Sequence, residues 1–191
     1  SALVERDLDI LAPMAERGQV SVTLSLTTLD RDLSRVLEPR AAAPERRLAT
    51  LRTLAEAGVP TGVLVAPVIP MLTDSELEDL LGAAAEAGAE GAGYVLLRLP
   101  HEVSDLFEQW LAEHYPLKAE RILARLREAR GGATDDPQFG RRLRGTGAYA
   151  DLIQHRFDLA CRRTGLSGLS YNLSTQAFRP PTPPGTQLGL L

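Results

Sequence analysis

The stretch "LAEAGVPTGVLVAPVIP", Leu54 to Pro70, decides the fold, because the chain writes it twice. At a constant offset of 30 residues, "AAEAGAEGAGYVLLRLP" (Ala84 to Pro100) sets Ala85-Glu86-Ala87-Gly88 on Ala55-Glu56-Ala57-Gly58, Val95 on Val65 and Pro100 on Pro70. A weaker copy, "AERGQVSVTLSL", starts at Ala15. Each copy is a helix end, a glycine and an apolar strand, and the glycines Gly18, Gly58 and Gly88 stand where a helix C-cap needs a residue free to take φ > 0. The pattern predicts strands over Val20–Leu26, Thr61–Pro67 and Ala92–Arg98. The helices between them are long enough to be right-handed crossovers between parallel strands.

Outward from the repeat, Pro44 to Ala57 places Leu48, Leu51 and Leu54 on one helix face, and Ser75 to Ala87 does the same with Leu77, Leu80 and Leu81. The fold class is therefore α/β with a parallel sheet. The strand that begins "GVLV" runs into Pro67 and Pro70; proline fixes φ and lacks the N–H donor, so the strand is expected to leave its sheet at Pro67 as a stiff loop. Thr73 and Glu76 have the spacing of a capping box that opens the next helix. A first helix is expected over Glu5 to Arg17, kinked at Pro13. After Pro100 the pattern becomes helical, over Ser104 to Glu113, Leu117 to Arg130 and Ala148 to Thr164, with "GGATDDPQFG" as a loop. Residues 1–100 thus read as a partial (β/α) barrel segment, 101–165 as a C-terminal helical region and 166–191 as a Pro-rich, extended or disordered tail. Three parallel strands cannot close a barrel, so the chain reads as the C-terminal part of a larger (β/α) protein.

Composition excludes several classes. With 191 residues, 44% hydrophobic and 24% charged, the chain can bury a single-domain core. Its apolar runs are too short and too interrupted to span a bilayer, and "SALVERDLDI" lacks the order of a signal peptide, so a soluble, cytoplasmic protein is expected. The single cysteine, Cys161, excludes an internal disulfide and offers no metal-ligand spacing; nor do His101, His114 and His155. Residues 1–117 carry 9 Lys and Arg against 19 Asp and Glu, whereas 118–163 carry 11 against 6. The basic region is the one stretch suited to an anionic partner, or else a solvated helix face.

The motifs "LEPRA", "VLVAPVIP", "LTD" and "GYVLLRLP" make the chain, from about Ser1 to Gly165, resemble the C-terminal half of radical S-adenosylmethionine (radical SAM) proteins related to spore photoproduct lyase. The resemblance implies a partial barrel of parallel strands, a four-iron four-sulfur cluster, and S-adenosylmethionine cleaved to a 5′-deoxyadenosyl radical. The three cluster cysteines of the family lie in its other half, so this chain alone is expected to bind no cluster and to be inactive without the missing N-terminal half of the barrel. DNA is the substrate that the family name implies.

The resemblance also implies one side of a cofactor pocket. Ser25, Thr27 and Thr28 at the first strand end would meet the ribose and methionine moiety, or else cap the short helix after Asp30. Arg40 would clamp the cofactor's carboxylate, or pair with Glu38, or lie free on the surface. Val68 and Ile69 would form a preorganised wall for the adenine, and the backbone of Leu97 and Leu99 would meet its edge. Arg98, a lone charge in an apolar strand end, needs a partner, either cofactor or substrate or a carboxylate such as Glu38 or Glu102. Two rival readings stand beside this one. A non-radical (β/α) barrel enzyme would need a strand-end lysine or phosphate loop, and Lys118 is the chain's one lysine; a nucleic-acid-binding module would use residues 118–163.

Overall fold

A computed structural model describes residues 2–135, 138, 141–169 and 172–180. Four parallel strands, β1 (Val22–Ser25), β2 (Thr61–Val68), β3 (Gly91–Leu96) and β4 (Ser167–Gly168), lie side by side in that order. The helices are α1 (Leu8–Glu16), α2 (Arg31–Leu37), α3 (Pro44–Glu56), α4 (Leu77–Glu86), α5 (Val103–His114), α6 (Ala119–Glu128) and α7 (Ala148–Thr164). Gly18, Gly58 and Gly88 all have positive φ, as the repeat requires. The expected first helix is split: a 3-10 turn over Ala2–Asp7 precedes α1, which carries Pro13 inside it.

Alternation along the strands divides the sheet into two unlike faces. Leu24, Val63, Val65, Ala92, Tyr94 and Leu96 point into the main core, where they meet Leu51 and Leu54 of α3, Leu80 and Leu81 of α4, and Ile153 and Phe157 of α7. On the other face Thr23 and Ser25 are exposed, Leu64 and Val95 are half-buried, and Gly93 lies under the side chain of Leu169. A second core gathers beyond the carboxyl ends of the strands, where Ile69 and Leu99 pack with Phe107, Leu111, Ile122 and Leu126 of α5 and α6.

Three expectations are corrected. β2 does not leave the sheet at Pro67; it continues through a cis Ala66–Pro67 bond to Val68, and the register with β3 shifts between Val65 and Val68. A proline within a strand is tolerated at such an irregularity, where its missing donor interrupts no regular ladder. The capping box is also absent. Thr73 Oγ1 instead accepts from Ile69 N at 2.8 Å, and the Glu76 carboxylate turns away to the β1 strand end. Finally, the segment from Leu166 is not all tail: Leu166 is buried, Ser167–Gly168 pair with β3, and Ser174 N donates to Gly18 O at 2.7 Å. Residues 170, 171 and 181–191 of that segment lie outside the described residues.

Candidate functional site

The carboxyl end of β1 is built from buried hydroxyls and two carboxylates. Thr27 Oγ1 lies 2.8 Å from Glu38 Oε2 and 2.9 Å from the Ala66 carbonyl oxygen, close enough to donate its one proton to either. Thr28 Oγ1 donates to Glu76 Oε1 at 2.7 Å and accepts from Asp30 N, while Leu29 N donates to Glu76 Oε2 at 2.7 Å. Asp30 itself caps α2 by accepting from Asp32 N and Leu33 N. Both threonines are buried, so their hydroxyls are spent in joining β1 to β2 and to the turn before α4. Of the two alternatives for them, Thr28 takes part in the turn that starts α2, and the cap proper is Asp30.

Arg47, from α3, organises the loop that follows α2. Its side chain is only 7% exposed; Nε donates to Ala42 O at 2.8 Å, Nη1 to Ser25 O at 3.0 Å and Nη2 to Glu38 Oε2 at 2.9 Å. The guanidinium therefore ties the strand end, the loop carbonyl and the Glu38 carboxylate together. Above it, Ser25 and Arg40 line a cavity of about 310 Å3 with Thr23, Glu38, Ala41 and Arg47. Ser25 and Arg40 are exposed, and Arg40 makes no ion pair among the described residues, because Glu38 is held by Arg47 and Thr27. A fixed guanidinium, a free one and an exposed hydroxyl at one strand end can hold a carboxylate together with a neutral polar group.

The other two strand ends are placed differently from expectation. Val68 and Ile69 are fully buried, Ile69 in the second core, so their side chains present no open wall. The amide of Leu97 donates to Val68 O at 2.9 Å and that of Leu99 to Thr134 O at 3.1 Å. The carbonyls of Leu96 and Leu97 accept from Arg130, whose guanidinium also donates to Arg142 O. Arg98 finds a partner that is neither Glu38 nor Glu102: its Nε donates to Asp135 Oδ1 at 2.8 Å. Ser25 and Arg40 thus stand together at one cavity, while Thr27, Thr28, Arg98 and the backbone of Leu97 and Leu99 are engaged within the chain.

Sequence reasoning missed Arg47, Arg130 and Glu76 as organising groups. For Arg47 there was a signal, since it occupies a position on the same face of α3 as Thr50, Leu51 and Leu54, where a charge must find partners. In the basic region, Arg125 pairs with Glu128, Arg127 with Glu108 and Arg156 with Glu78, and Arg130 is buried. Lys118, Arg121, Arg162 and Arg163 make no ion pair among the described residues. No group of three His, Cys, Asp or Glu among the described residues could hold a metal ion. Cys161 is half-buried on α7, and burial pushes its thiol pKa up. No helix among the described residues is long and apolar enough to cross a membrane.

Residues 2–84 match the family profile of the Radical SAM superfamily. That radical SAM match takes in α1, β1, α2, α3, β2 and most of α4, and so contains the whole Ser25–Arg40 cavity. The parallel sheet with helices packed on it is consistent with part of a radical SAM (β/α) fold. The uncharacterized protein Rv2578c of Mycobacterium tuberculosis is 38% identical over 145 residues, which are 74% of this chain and 42% of the relative. ORF301 of Acidianus two-tailed virus is 36% identical over 104 residues, 53% of this chain and 34% of that protein. MJ0683 of Methanocaldococcus jannaschii is 29% identical over 122 residues, 64% and 44% respectively. The chain spans less than half the length of these curated relatives. No solved structure matches it.

Proposed function

We propose that the chain forms the cofactor-binding side of a radical SAM enzyme of the spore photoproduct lyase-related group. The observation that carries the reading is the pairing of exposed Ser25 and exposed Arg40 at the carboxyl end of a parallel strand, inside the segment that matches the superfamily. Ligands of open parallel sheets bind beyond the carboxyl ends of the strands. Arg40 would hold the carboxylate of S-adenosylmethionine and Ser25 a polar group of its methionine or ribose moiety, with Arg47 and Glu38 fixing the loop that carries Arg40. Thr27 and Thr28 set the shape of that strand end through Ala66 and Glu76. Val68, Ile69, Leu97, Arg98 and Leu99 would contribute the firmness of the neighbouring strand ends, since their side chains or amides are engaged.

When bound in such an enzyme, the cofactor and its iron–sulfur cluster supply hydrogen-atom abstraction from a substrate. One cysteine cannot ligate a cluster held by several thiolates, so its ligands would come from chain beyond these residues. A DNA lesion is the substrate that the subfamily suggests, and the exposed Lys118, Arg121, Arg162 and Arg163 would be among the basic side chains that meet it.

The test is anaerobic reconstitution of the longest open reading frame that contains this chain, followed by calorimetric titration with S-adenosylmethionine and an iron count on the same sample. Arg40→Ala is expected to weaken binding by about 1.5–3 kcal/mol, the worth of a hydrogen bond to a charged group, and Ser25→Ala by about 1 kcal/mol, with iron content unchanged in both. Wild-type affinity in both variants would sink the assignment of this cavity.

A further inference from the structure

A second cavity, of about 550 Å3, lies away from the β1 strand end, between β3 and α7. Its size is that of a small-molecule site. Among the described residues, β4 pairs with Gly91 and Ala92, and the cavity opens farther along β3, beside Tyr94. Phe157, Leu166 and Leu169 make part of its wall apolar. Its polar side is a fixed relay: the Tyr94 hydroxyl donates to Gln154 Oε1 at 3.0 Å, and Gln154 Nε2 donates to Asp158 Oδ1 at 2.7 Å.

Arg144 stands in this wall with its guanidinium carbon 4.0 Å from the centroid of the Tyr94 ring and 5.7 Å from that of Phe157. Stacking on two aromatic faces holds the fork in one orientation. Among the described residues, Arg144 Nη1 is the one fully buried side-chain nitrogen with no hydrogen-bond partner. A buried charged donor without an acceptor is costly, and the nearby amide oxygen, Gln154 Oε1, already accepts from Tyr94. The lining carries two positive charges, Arg144 and Arg162, against the one negative charge of Asp158. That balance suits a single negative charge, whereas a dianion would meet Asp158 unscreened.

We propose that this cavity binds a small organic carboxylate, its oxygen accepting from Arg144 Nη1 and its apolar body resting on Phe157, Leu166 and Leu169. The site is separate from the Ser25–Arg40 cavity and does not depend on any cofactor there.

The experiment uses this chain with three ring compounds of one size at equal ionic strength: sodium benzoate, neutral benzamide and cationic benzylammonium. Benzoate is expected to raise the melting temperature in a concentration-dependent way and to slow alkylation of Cys161, which lines the same cavity and is the chain's one thiol. Benzamide should bind at least tenfold more weakly, and Arg144→Met should lose at least tenfold in benzoate affinity. If Arg144→Met does not fold, Arg144→Lys replaces it, and losing the fork is expected to weaken benzoate severalfold. The proposal is overturned by equal binding of benzoate and benzamide, by preference for benzylammonium, by full benzoate affinity in the folded Arg144 variant, or by no response to benzoate at any concentration at which the chain stays folded.

Discussion

Replacing Arg130 by methionine tests whether one buried guanidinium secures the end of the last long strand. Arg130 is 3% exposed, and its fork donates to the carbonyls of Leu96 and Leu97 at the end of β3 and to that of Arg142 in the loop before α7. Methionine preserves most of the apolar stem but removes every donor. The charge-assisted bonds to three carbonyls, at about 1.5–3 kcal/mol each, are offset in part because a desolvated charge goes with them, so a net loss near 3 kcal/mol is expected. The assay is urea unfolding followed by fluorescence of Trp110, the only tryptophan, which packs with Phe107 of the second core. With a slope of about 2–3 kcal/mol per molar, the midpoint should fall by roughly 1 M at unchanged slope. Arg130→Lys, a point charge able to reach fewer carbonyls, should fall between the two. A methionine variant as stable as the parent would refute the reasoning, because relief of the desolvated charge would then outweigh the carbonyls' need for donors.

Three further outcomes follow from the side-chain contacts. The hydrogen bond from Arg156 holds the Glu78 carboxyl below the ordinary glutamate value of 4.5, so its stabilisation is present above that pH and is lost as pH falls through the lowered value; Glu78→Gln should flatten the acid limb of a stability profile. Burial, and then the bond to Asp74, pushes the Tyr149 phenol above its ordinary 10.0, so its stabilisation is full below pH 10 and declines above it; Tyr149→Phe should flatten the alkaline limb, and an unaltered limb in either variant would contradict the assigned partner. Gly93→Ala would bring a Cβ within 2.7 Å of Leu169 Cδ1 and 3.3 Å of Leu64 Cδ1 and should cost about 1 kcal/mol, most of it recovered when Leu169→Ala is added; calorimetric melts of the two single variants and the double variant would show additivity if the two residues do not touch.

The parallel sheet was legible because the αβ unit repeats: apolar strand, positive-φ glycine and leucine-faced helix recur at one offset, and each level agrees with the others. Several of the departures come from competition for polar partners, some of them far apart in sequence. Thr73 and Glu76 have the local spacing of a cap, yet Ile69 N and the Thr28 turn claim them. Arg98 and Asp135 stand 37 residues apart, beyond any local pattern. Within the candidate site, Ser25 and Arg40 were readable as strand-end and loop residues, but the adenine wall was not, because "VAPVIP" has the same apolar letters whether it faces a ligand or the second core. Arginines in a basic helix and loop likewise look alike in sequence, although Arg130 is buried, Arg125 pairs on the surface and Arg144 stacks on two rings.

The pairing of β4 with β3 has a consequence for the order in which the sheet assembles and comes apart. Gly62 and Gly91 meet across β2 and β3 at a separation of 29 residues, whereas Gly91 meets Ser167 at 76. Closing the longer loop costs about 0.9 kcal/mol more in chain entropy by the logarithmic rule, and among the described residues two residue pairs repay it. The seam at β4 should therefore be the last to zip and the first to fray. Amide exchange at Ser167 and Gly168 should proceed by local opening, at a free energy well below that needed to expose the interior of β2.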